Sequence, residues 1–515
     1  MFKRCLSVLG LMALVGLYQL PANAQNTPVY TKANCPFAQV AGRTAECGFL
    51  TVPEDRTNPN NGRTVKLAVA VFKSNSPNPA PDPVIYLEGG PGAPFLKGDT
   101  DSVNSAFAPF LDKRDFISFD QRGTGYSTPS LYCNEDWEAT WAYLDKNLPH
   151  DQAVAKETQV LQQCHDRVVK PGTDVNAYNS AENAADVADL RQALGYKEWN
   201  LYGISYGTRL ALTVMRDHPQ GIRSVILDSN IPPEIDGVLS VPDTANHIFR
   251  TFFDGCASSP SCNAAYPNLE KTFYALVDKL NANPITVPVP RPDNGKQYTM
   301  IFTGDDAIGA LFFSFYITQI IPEMPKVITQ AANGDYNAML SLKYNAIISD
   351  ENISTGLYFS VNCSEEVAFD TPEQLQAEDA KYPQEHHNFD PADFVPECKA
   401  WNVKRAPDIE TKPVVSSIPA LVMEGTYDPI TPPDFGKETA KYLDHSFYVE
   451  FPGVGHGTSV TGPCPTGIAL AFLDNPTQKP DSSCIAQMHD PQFDTGPGGG
   501  LQPSTPQNAP PKSSN

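Results

Sequence analysis

The sequence has few positively charged residues, with 37 lysines and arginines against 59 aspartates and glutamates among 515 residues. A formal charge of −22 makes the protein a poor partner for nucleic acid or an anionic membrane surface. The charge is compatible with cationic substrates, although acidity more often serves solubility. Long apolar runs are also missing: the stretches at residues 6–17 and 307–321 are short for a membrane span.

Cysteine patterns typical of metal sites are absent as well. There is no Cys-x-x-Cys pair and no Cys/His cluster with zinc spacing, so we predict no metal. Ten cysteines follow the N-terminal segment, and an even number in an exported chain favours disulfides. The simplest hypothesis pairs sequence neighbours: Cys35–Cys47, Cys133–Cys164, Cys256–Cys262, Cys363–Cys398 and Cys464–Cys484.

The N-terminal segment is typical of a secretory signal. Lys3 and Arg4 precede an apolar run, and Ala22-Asn23-Ala24 offers a cleavage site of small residues. The alternative is an uncleaved membrane anchor, but the run is short for that. We therefore expect residues 1–24 to be removed and the mature protein to be periplasmic or secreted, without stable membrane insertion.

The rest of the chain alternates short apolar strands with helical patterns, which predicts a mostly parallel sheet flanked by helices. In the middle the chain becomes largely helical and strand-poor, as an inserted cap domain would be. Its aromatic run at 307–321 is interpreted as a buried helix, or alternatively as part of a pocket wall. The predicted segments are a first core part (25–235), a helical cap (236–410), a second core part (411–475) and a Pro/Gly-rich tail (476–515), largely disordered after about 490.

A nucleophile is indicated by Gly203-Ile204-Ser205-Tyr206-Gly207, which follows an apolar strand and precedes a helix. This is the Gly-x-Ser-x-Gly layout of a sharp strand-to-helix turn. The glycines allow close packing, and Ser205 takes a strained backbone conformation that presents its hydroxyl. Taken alone, the pattern could also be an ordinary Gly-rich turn.

A base and an orienting acid follow two later strands. Asp428 lies just past the end of the strand predicted at 419–423, and His456 lies just past the end of the strand predicted at 446–451. In a parallel sheet these strand ends open on the same edge as Ser205. Singly, Asp428 or His456 could be a turn or loop residue, and Asp434 is a competing carboxylate. Together, in the order Ser, Asp, His, they predict a catalytic triad.

The same reasoning locates an oxyanion hole, which needs two backbone donors. Tyr206, directly after the nucleophile, supplies one amide. The turn Gly89-Gly90-Pro91-Gly92 after the strand at 84–87 is placed to supply the other, from Gly90 or alternatively Gly89. Glycine suits this position because a side chain would block the substrate carbonyl.

These motifs resemble one family. Glu88-Gly89-Gly90-Pro91-Gly92, the run Asp120-Gln121-Arg122-Gly123, the serine motif and the Asp428/His456 pair are similar to the prolyl and tripeptidyl aminopeptidases. The resemblance implies an α/β-hydrolase fold with an inserted helical cap. Glu88 stands where prolyl aminopeptidases usually carry histidine, so the exported tripeptidyl-type members fit better.

The resemblance also implies a serine exopeptidase that recognises a free N-terminal amine through acidic residues of the cap. Glu365 and Glu366 are the candidates, with Glu88 behind them. The alternative is that both cap glutamates face solvent and that Cys363 merely staples the cap. The expected partners are peptides with a free N-terminus, and no metal or organic cofactor is called for.

The predicted activity is release of one to three residues from peptide N-termini through an acyl-enzyme. An exported carboxylesterase, or another small-acyl hydrolase with the same triad, is the alternative. A third interpretation is a catalytically inactive binding protein of the same fold. That interpretation normally requires loss of a triad member, and none is missing here.

Overall fold

The computed structural model describes residues 28–496. The predicted signal segment and the tail beyond 496 lie outside the described residues. Within them, the strands are β1 (Val29–Ala33), β2 (Ala45–Pro53), β3 (Thr64–Phe72), β4 (Val84–Leu87), β5 (Phe116–Phe119), β6 (Trp199–Ser205), β7 (Ile222–Asn230), β8 (Ile285–Pro290), β9 (Gln297–Phe302), β10 (Ala420–Gly425) and β11 (Ser446–Phe451).

Nine of these strands form one sheet in the order β1-β2-β3-β5-β4-β6-β7-β10-β11. The first three strands and the β3–β5 pair are antiparallel, and the remaining pairs are parallel. The predicted mostly parallel sheet is therefore confirmed. Strands β4 to β7 and β10 are buried on both faces, which explains why they appear in the sequence as continuous apolar runs.

Helices cover both faces of the sheet. Those within the two core parts are α1 (Phe95–Gly98), α2 (Asn134–Tyr143), α3 (His150–Val169), α4 (Ser180–Leu194), α5 (Tyr206–Asp217), α16 (Pro433–Ala440) and α17 (Pro463–Asp474). Asn179 caps α4, since its side chain accepts a hydrogen bond from the Glu182 amide. The Ser180 hydroxyl has other partners, described below.

The inserted segment is mainly helical, as expected. Its helices are α6 (Val241–Ser258), α7 (Pro260–Ala265), α8 (Leu269–Ala282), α9 (Gly304–Ser314), α10 (Met324–Ala332), α11 (Asn337–Ser349), α12 (Thr355–Glu365), α13 (Pro372–Asp379), α14 (His386–Phe389) and α15 (Phe394–Trp401). Strands β8 and β9 form a separate hairpin within it. Helices α2 and α3 pack together, and α3 also packs against α15, so the first core part also contributes to the layer above the sheet.

The aromatic run at 307–321 is not one buried helix. Helix α9 ends at Ser314, and a 3₁₀ helix, Thr318–Glu323, follows after a break. Phe312 and Phe315 are buried in the cap core, whereas Phe313 is half exposed. Tyr316 lies in the break, and this places its ring next to the candidate active site.

All five neighbouring disulfides are present, which confirms the predicted pairing. The Cys464–Cys484 bond ties the C-terminal segment to α17. Phe493, within the stretch predicted to be disordered, is buried against Phe252 of the cap. Between residues 28 and 496, no helix combines the length and the apolar character that crossing a membrane requires.

Candidate active site

Ser205 occupies the strained turn that the sequence predicts. It ends β6 with φ 58° and ψ −130°, and α5 begins at the next residue. A non-glycine residue at positive φ is rare and is tolerated here because the surrounding structure enforces it. A Cβ on Gly203 would clash with the Gly207 backbone, and a Cβ on Gly207 would clash with the Leu87 carbonyl. Both glycines are therefore required by close packing.

Asp428 and His456 meet at the same edge of the sheet. His456 Nδ1 lies 2.8 Å from Asp428 Oδ2. Because an ionised carboxylate only accepts hydrogen bonds, Nδ1 carries the proton and Nε2 is left as the basic nitrogen. Asp428 also accepts hydrogen bonds from the Thr431 amide at 2.9 Å and the Thr431 hydroxyl at 2.9 Å. These bonds hold the carboxylate in its ionised form.

The electrostatics of this pair suit a general base. Burial lowers the pKa of His456, but the charge of Asp428 and its hydrogen bond outweigh burial, so the net pKa is raised. Burial raises the pKa of Asp428, yet His456 and the backbone amides hold the net value below the ordinary range. The interaction therefore keeps Asp428 ionised and stabilises the imidazolium form of His456 after it accepts a proton.

The loop that carries His456 is anchored from β7. Fully buried Asp228 accepts hydrogen bonds from the Thr458 amide and hydroxyl, both at 2.7 Å, and from the Ser459 amide at 2.8 Å. The Ser459 hydroxyl also donates to Asp228. Ser229 Oγ accepts from the Gly457 amide at 2.8 Å. Five donors on residues 457–459 are thus held by the end of one strand.

This loop lies beside the nucleophile. A Cβ on Gly457 would sit 3.7 Å from Ile204 Cγ2, directly before Ser205. Within the described residues the Ser205 hydroxyl donates no hydrogen bond to another residue, so Ser205 and His456 are not hydrogen-bonded in this conformation. Catalytic hydrogen bonds often tighten only when substrate is bound. The Tyr316 ring covers His456, with the two ring centres 4.9 Å apart.

The oxyanion-hole candidates flank Ser205. A Cβ on Gly89 would lie 3.1 Å from Ser205 Cβ and 3.6 Å from its Oγ. The Gly89 amide already donates to Glu88 Oε1 at 3.0 Å. Within residues 28–496 the amides of Gly90 and Tyr206 donate to no acceptor. This difference favours Gly90 over Gly89 as the partner of Tyr206.

Comparison with known proteins agrees with this geometry. The sequence profile of the α/β hydrolase fold matches residues 82–463. The chain belongs to the α/β-hydrolase fold family. Serine protease Hip1 of Mycobacterium tuberculosis is 24% identical over 507 residues, covering 93% of this chain and 94% of that protein. This α/β-hydrolase therefore has a peptidase relative along almost its whole length.

Two further relatives carry different names. Tripeptidyl aminopeptidase of Streptomyces coelicolor is 29% identical over 201 residues, covering 38% of this chain and 36% of that protein. Carboxylesterase B of Mycobacterium tuberculosis is 27% identical over 479 residues, covering 85% and 86%. The predicted resemblance to a peptidase branch is confirmed, and the α/β-hydrolase belongs to a serine-hydrolase family with both peptidase and esterase relatives.

Glu88 of this α/β-hydrolase is half-buried and directly precedes the turn at residues 89–92 that carries the oxyanion-hole candidates. Its carboxylate accepts hydrogen bonds from Gly89 N at 3.0 Å and from the Tyr86 hydroxyl at 3.2 Å. Burial raises its pKa to about 7, opposed by the Gly89 hydrogen bond and assisted by the charge of Asp99. Its present contacts therefore orient the Gly89 peptide.

Glu365 and Glu366 are buried, so the solvent-facing alternative is wrong. They are 1% and 4% exposed. Glu366 Oε1 accepts from Arg209 at 2.8 Å, and Glu365 Oε2 lies 3.3 Å from Arg209 Nε. Glu365 also accepts from the Ser180 amide at 2.6 Å and hydroxyl at 2.7 Å. The Ser180 hydroxyl in turn lies 2.9 Å from the Tyr206 hydroxyl. The two glutamates thus join the cap to the helix that follows the nucleophile.

Sequence reasoning missed four residues of the site. Thr431 holds Asp428, Asp228 and Ser229 hold the loop that carries His456, and Tyr316 covers the His456 ring. A signal existed for two of them, because Asp228 and Ser229 directly follow the apolar run 225–227 and lie at the end of β7, on the same sheet edge as Ser205 and His456. Tyr316 lies in the aromatic run for which a pocket wall was the alternative interpretation.

Proposed function

We propose that this α/β-hydrolase is an exported serine aminopeptidase that releases fragments of one to three residues from peptide N-termini. The observation that carries the proposal is the Asp428–His456 pair beside Ser205, under a cap layer, in a chain whose full-length relative is named a serine protease. A cap above the nucleophile suits an exopeptidase, because it limits how much chain can enter. Five disulfides suit the oxidising environment of an exported protein.

The proposed reaction follows from the roles of the triad. Ser205 Oγ attacks the scissile carbonyl carbon while His456 Nε2 takes the hydroxyl proton, and Asp428 stabilises the imidazolium that results. The amides of Tyr206 and Gly90 donate to the oxyanion. The C–N bond then breaks, and His456 returns the proton to the leaving amine. Water attacks the acyl-enzyme with the same base, and the released fragment leaves Ser205 free.

Recognition of the free amine is assigned to carboxylates in this proposal. Glu365, Glu366 and Glu88 remain the proposed residues, although each already accepts hydrogen bonds from protein donors. Two carboxylates share the single positive charge of the Arg209 guanidinium, so this buried group has one acidic side chain more than it has basic ones. An approaching ammonium group would supply the second positive charge. If Glu365→Gln and Glu366→Gln each left kcat/KM on free-amine peptides unchanged, these two residues would be excluded.

The test compares Ala-Ala-Pro p-nitroanilide carrying a free amine with the same peptide acetylated, using wild type and Ser205→Ala. Cleavage of the free peptide alone, abolished by the substitution, supports a serine aminopeptidase, and the released fragment defines the step length. Equal cleavage of both peptides would exclude the proposal. The matched variant Ser258→Ala, at the exposed end of α6, controls for handling of the protein.

A carboxylesterase is the second candidate, favoured by the relative named carboxylesterase B over 85% of this chain. It uses the same nucleophile, base and oxyanion donors, but it has no use for a free substrate amine. Turnover of a p-nitrophenyl ester without cleavage of either peptide would favour this activity over the peptidase.

A further inference from the structure

Two aromatic rings of the inserted segment form a stack that begins at the candidate base. The centre of the Tyr316 ring lies 4.9 Å from the centre of the His456 ring, and the Phe313 ring stacks on Tyr316 at 5.8 Å with 30° between the planes. The buried ring of Phe312 supports both, with its centre 5.7 Å from Phe313 and 6.2 Å from Tyr316. We call Phe313 and Tyr316 the aromatic ledge. It extends apolar surface from His456 to solvent, because Phe313 is 51% exposed.

The aromatic ledge is fixed to the loop that carries His456. Thr318 Oγ1, just after the ledge, accepts a hydrogen bond from the Gly455 amide at 3.0 Å. A Cβ on Gly455 would clash with the Phe315 carbonyl oxygen, so the break after α9 packs directly on the residue before His456. The ledge and the candidate base are therefore held in a fixed relative position by the backbone on both sides of the contact.

A second contact between the cap and the site is made by α12. The Ser354 amide, just before this helix, donates to the Gly92 carbonyl at 2.9 Å, two residues beyond the oxyanion-hole candidate Gly90. A Cβ on Gly92 would lie 2.7 Å from the Ser354 carbonyl oxygen, so the approach is close. At its other end α12 carries Glu365, which is assigned above to the substrate amine. The released fragment, which holds that amine, is therefore placed along α12.

The aromatic ledge contacts a different part of the site. It lies against His456, the residue that protonates the leaving amine when the C–N bond breaks. That amine belongs to the first residue after the cleaved bond, so this residue must lie beside the imidazole during the reaction. With the released fragment along α12, the ledge is the cap surface that the leaving residue meets.

The aromatic ledge suits an apolar side chain and not a charged one. Residues 307–321, which include the ledge, contain no acidic or basic side chain. A ligand that covers the exposed ring of Phe313 removes apolar surface from water, which is favourable. Because the ledge is already supported by a buried ring and by the backbone, little ordering is needed on binding. A bulky aliphatic or aromatic side chain gains most from such a surface.

From this arrangement we propose that the aromatic ledge is the subsite for the first residue after the cleaved bond, and that it selects a bulky apolar side chain there. The inference rests on the proposed peptidase function and adds a substrate class to it. It also gives the two sides of the cleaved bond different chemistry. Carboxylates are assigned to the amine of the released fragment, and aromatic rings are assigned to the leaving residue.

The test uses free-amine peptides with a constant released fragment, in which the residue directly after the cleaved bond is phenylalanine, alanine or lysine. The p-nitroanilide assay above identifies that bond. We expect phenylalanine to exceed alanine in kcat/KM by roughly tenfold or more, and lysine not to exceed alanine. In Phe313→Ala the ratio of phenylalanine to alanine should fall below about threefold. Phe313→Leu, the milder variant, should lower the ratio by a smaller factor.

The matched control is Ile409→Ala, which removes an apolar side chain of similar exposure, 49%. The Ile409 carbonyl accepts a hydrogen bond from Arg216, ten residues beyond Tyr206 in α5. At 1.5 Å per residue this contact lies about 15 Å along the helix from the nucleophile turn. The control should keep the wild-type ratio. An equal loss of the ratio in Ile409→Ala would mean a general effect of surface substitutions and would overturn the proposal.

Three further results would overturn the proposal. One is a wild-type enzyme that treats the three leaving residues alike. Another is a Phe313→Ala variant whose altered preference concerns the residue before the cleaved bond, because the ledge would then bind the released fragment. The third is a wild-type ratio that both Phe313 variants keep. If those variants also elute later in size-exclusion chromatography, the ledge is a contact between two copies of the chain.

Failure of the proposed function is separable from failure of the subsite. If no peptide is cleaved but p-nitrophenyl butyrate is, phenylalaninamide and alaninamide are compared as acceptors of the butyryl group. The amine nitrogen attacks the carbonyl of butyryl-Ser205, the ester C–O bond breaks, and His456 passes the amine proton to the Ser205 oxygen. A higher yield of N-butyryl-phenylalaninamide, lost in Phe313→Ala, supports the subsite without the peptidase. Equal yields, including none, overturn it.

Discussion

Asp228, at the end of β7, accepts two hydrogen bonds from Thr458, one from its amide and one from its hydroxyl, each 2.7 Å long. Thr458 lies two residues beyond the candidate base His456. The same carboxylate binds Ser459, so a fully buried acid of the sheet determines where the histidine loop lies. Asp228 is thus a positioning residue for His456.

The first prediction concerns this anchor. Asp228→Asn has one acceptor oxygen instead of two, so it cannot satisfy all four donors of residues 458 and 459. We expect kcat to fall roughly ten- to a hundredfold with little change in KM, because small displacements of a base are costly. Steady-state kinetics measure the split, and circular dichroism checks the fold. A variant with unchanged kcat would show that the loop keeps its position without Asp228.

The second prediction concerns pH. His456 must be neutral to accept a proton, so kcat/KM should rise with pH through its pKa, which the structure holds above its ordinary value of about 6.5. In Asp428→Asn the raising charge is gone, so the inflection should move to lower pH. The rate should also fall roughly a thousandfold or more. Profiles of kcat/KM between about pH 5 and 9 test both parts; an unmoved inflection would contradict the assignment of His456.

The third prediction uses the close approach of Gly89 to the nucleophile. A methyl group at this position would meet Ser205 Cβ at 3.1 Å and the Ile204 carbonyl at 3.0 Å. We expect Gly89→Ala to lower kcat/KM roughly a hundredfold while the fold persists, because the carbonyl site and its donors are displaced. Gly467→Ala is the matched control, since a Cβ there meets nothing within 4 Å. Equal activity of both variants would argue against an oxyanion site at this turn.

The fourth prediction concerns the stability of the buried cap contact. Arg209→Met leaves Glu365 and Glu366 buried without their cation. We expect a loss of about 3–5 kcal/mol in the free energy of unfolding, measured by denaturant titration. Arg250→Met, whose side chain is 58% exposed, should lose less than about 1 kcal/mol. Similar losses in the two variants would mean that Arg209 stabilises little.

Much of the candidate site was predictable because its signals are local. Ser205, Asp428 and His456 each lie at or just past the end of a strand that the sequence indicates, and a parallel sheet brings such ends to one edge. The five disulfides were predictable for a similar reason, since each joins sequence neighbours among the cysteines. At the start of α4 the adjacent Asn179 and Ser180 are both good caps by residue type, and the structure uses Asn179.

The environment of the cap glutamates was not predictable in this way. Glu366 meets Arg209 across 157 positions of sequence, so no local pattern indicates that its charge is matched. The sequence suggested open carboxylates for an amine, whereas the fold places them in a buried ion pair. Tyr316 illustrates the same limit: its run is largely apolar, and only the break after α9 brings this ring onto His456.

The sequence by itself indicated the strands, the strained turn at Ser205 and the candidate residues Asp428 and His456, because each of these signals depends on residue types within a few positions. Only the tertiary structure decided which buried charges have partners. Arg209 pairs with Glu365 and Glu366, whereas Glu397 has no ion pair within residues 28–496, and burial raises its pKa to about 8. The physical reason is that the energy of a buried charge depends on groups a few ångströms away in space, and those groups come from distant helices.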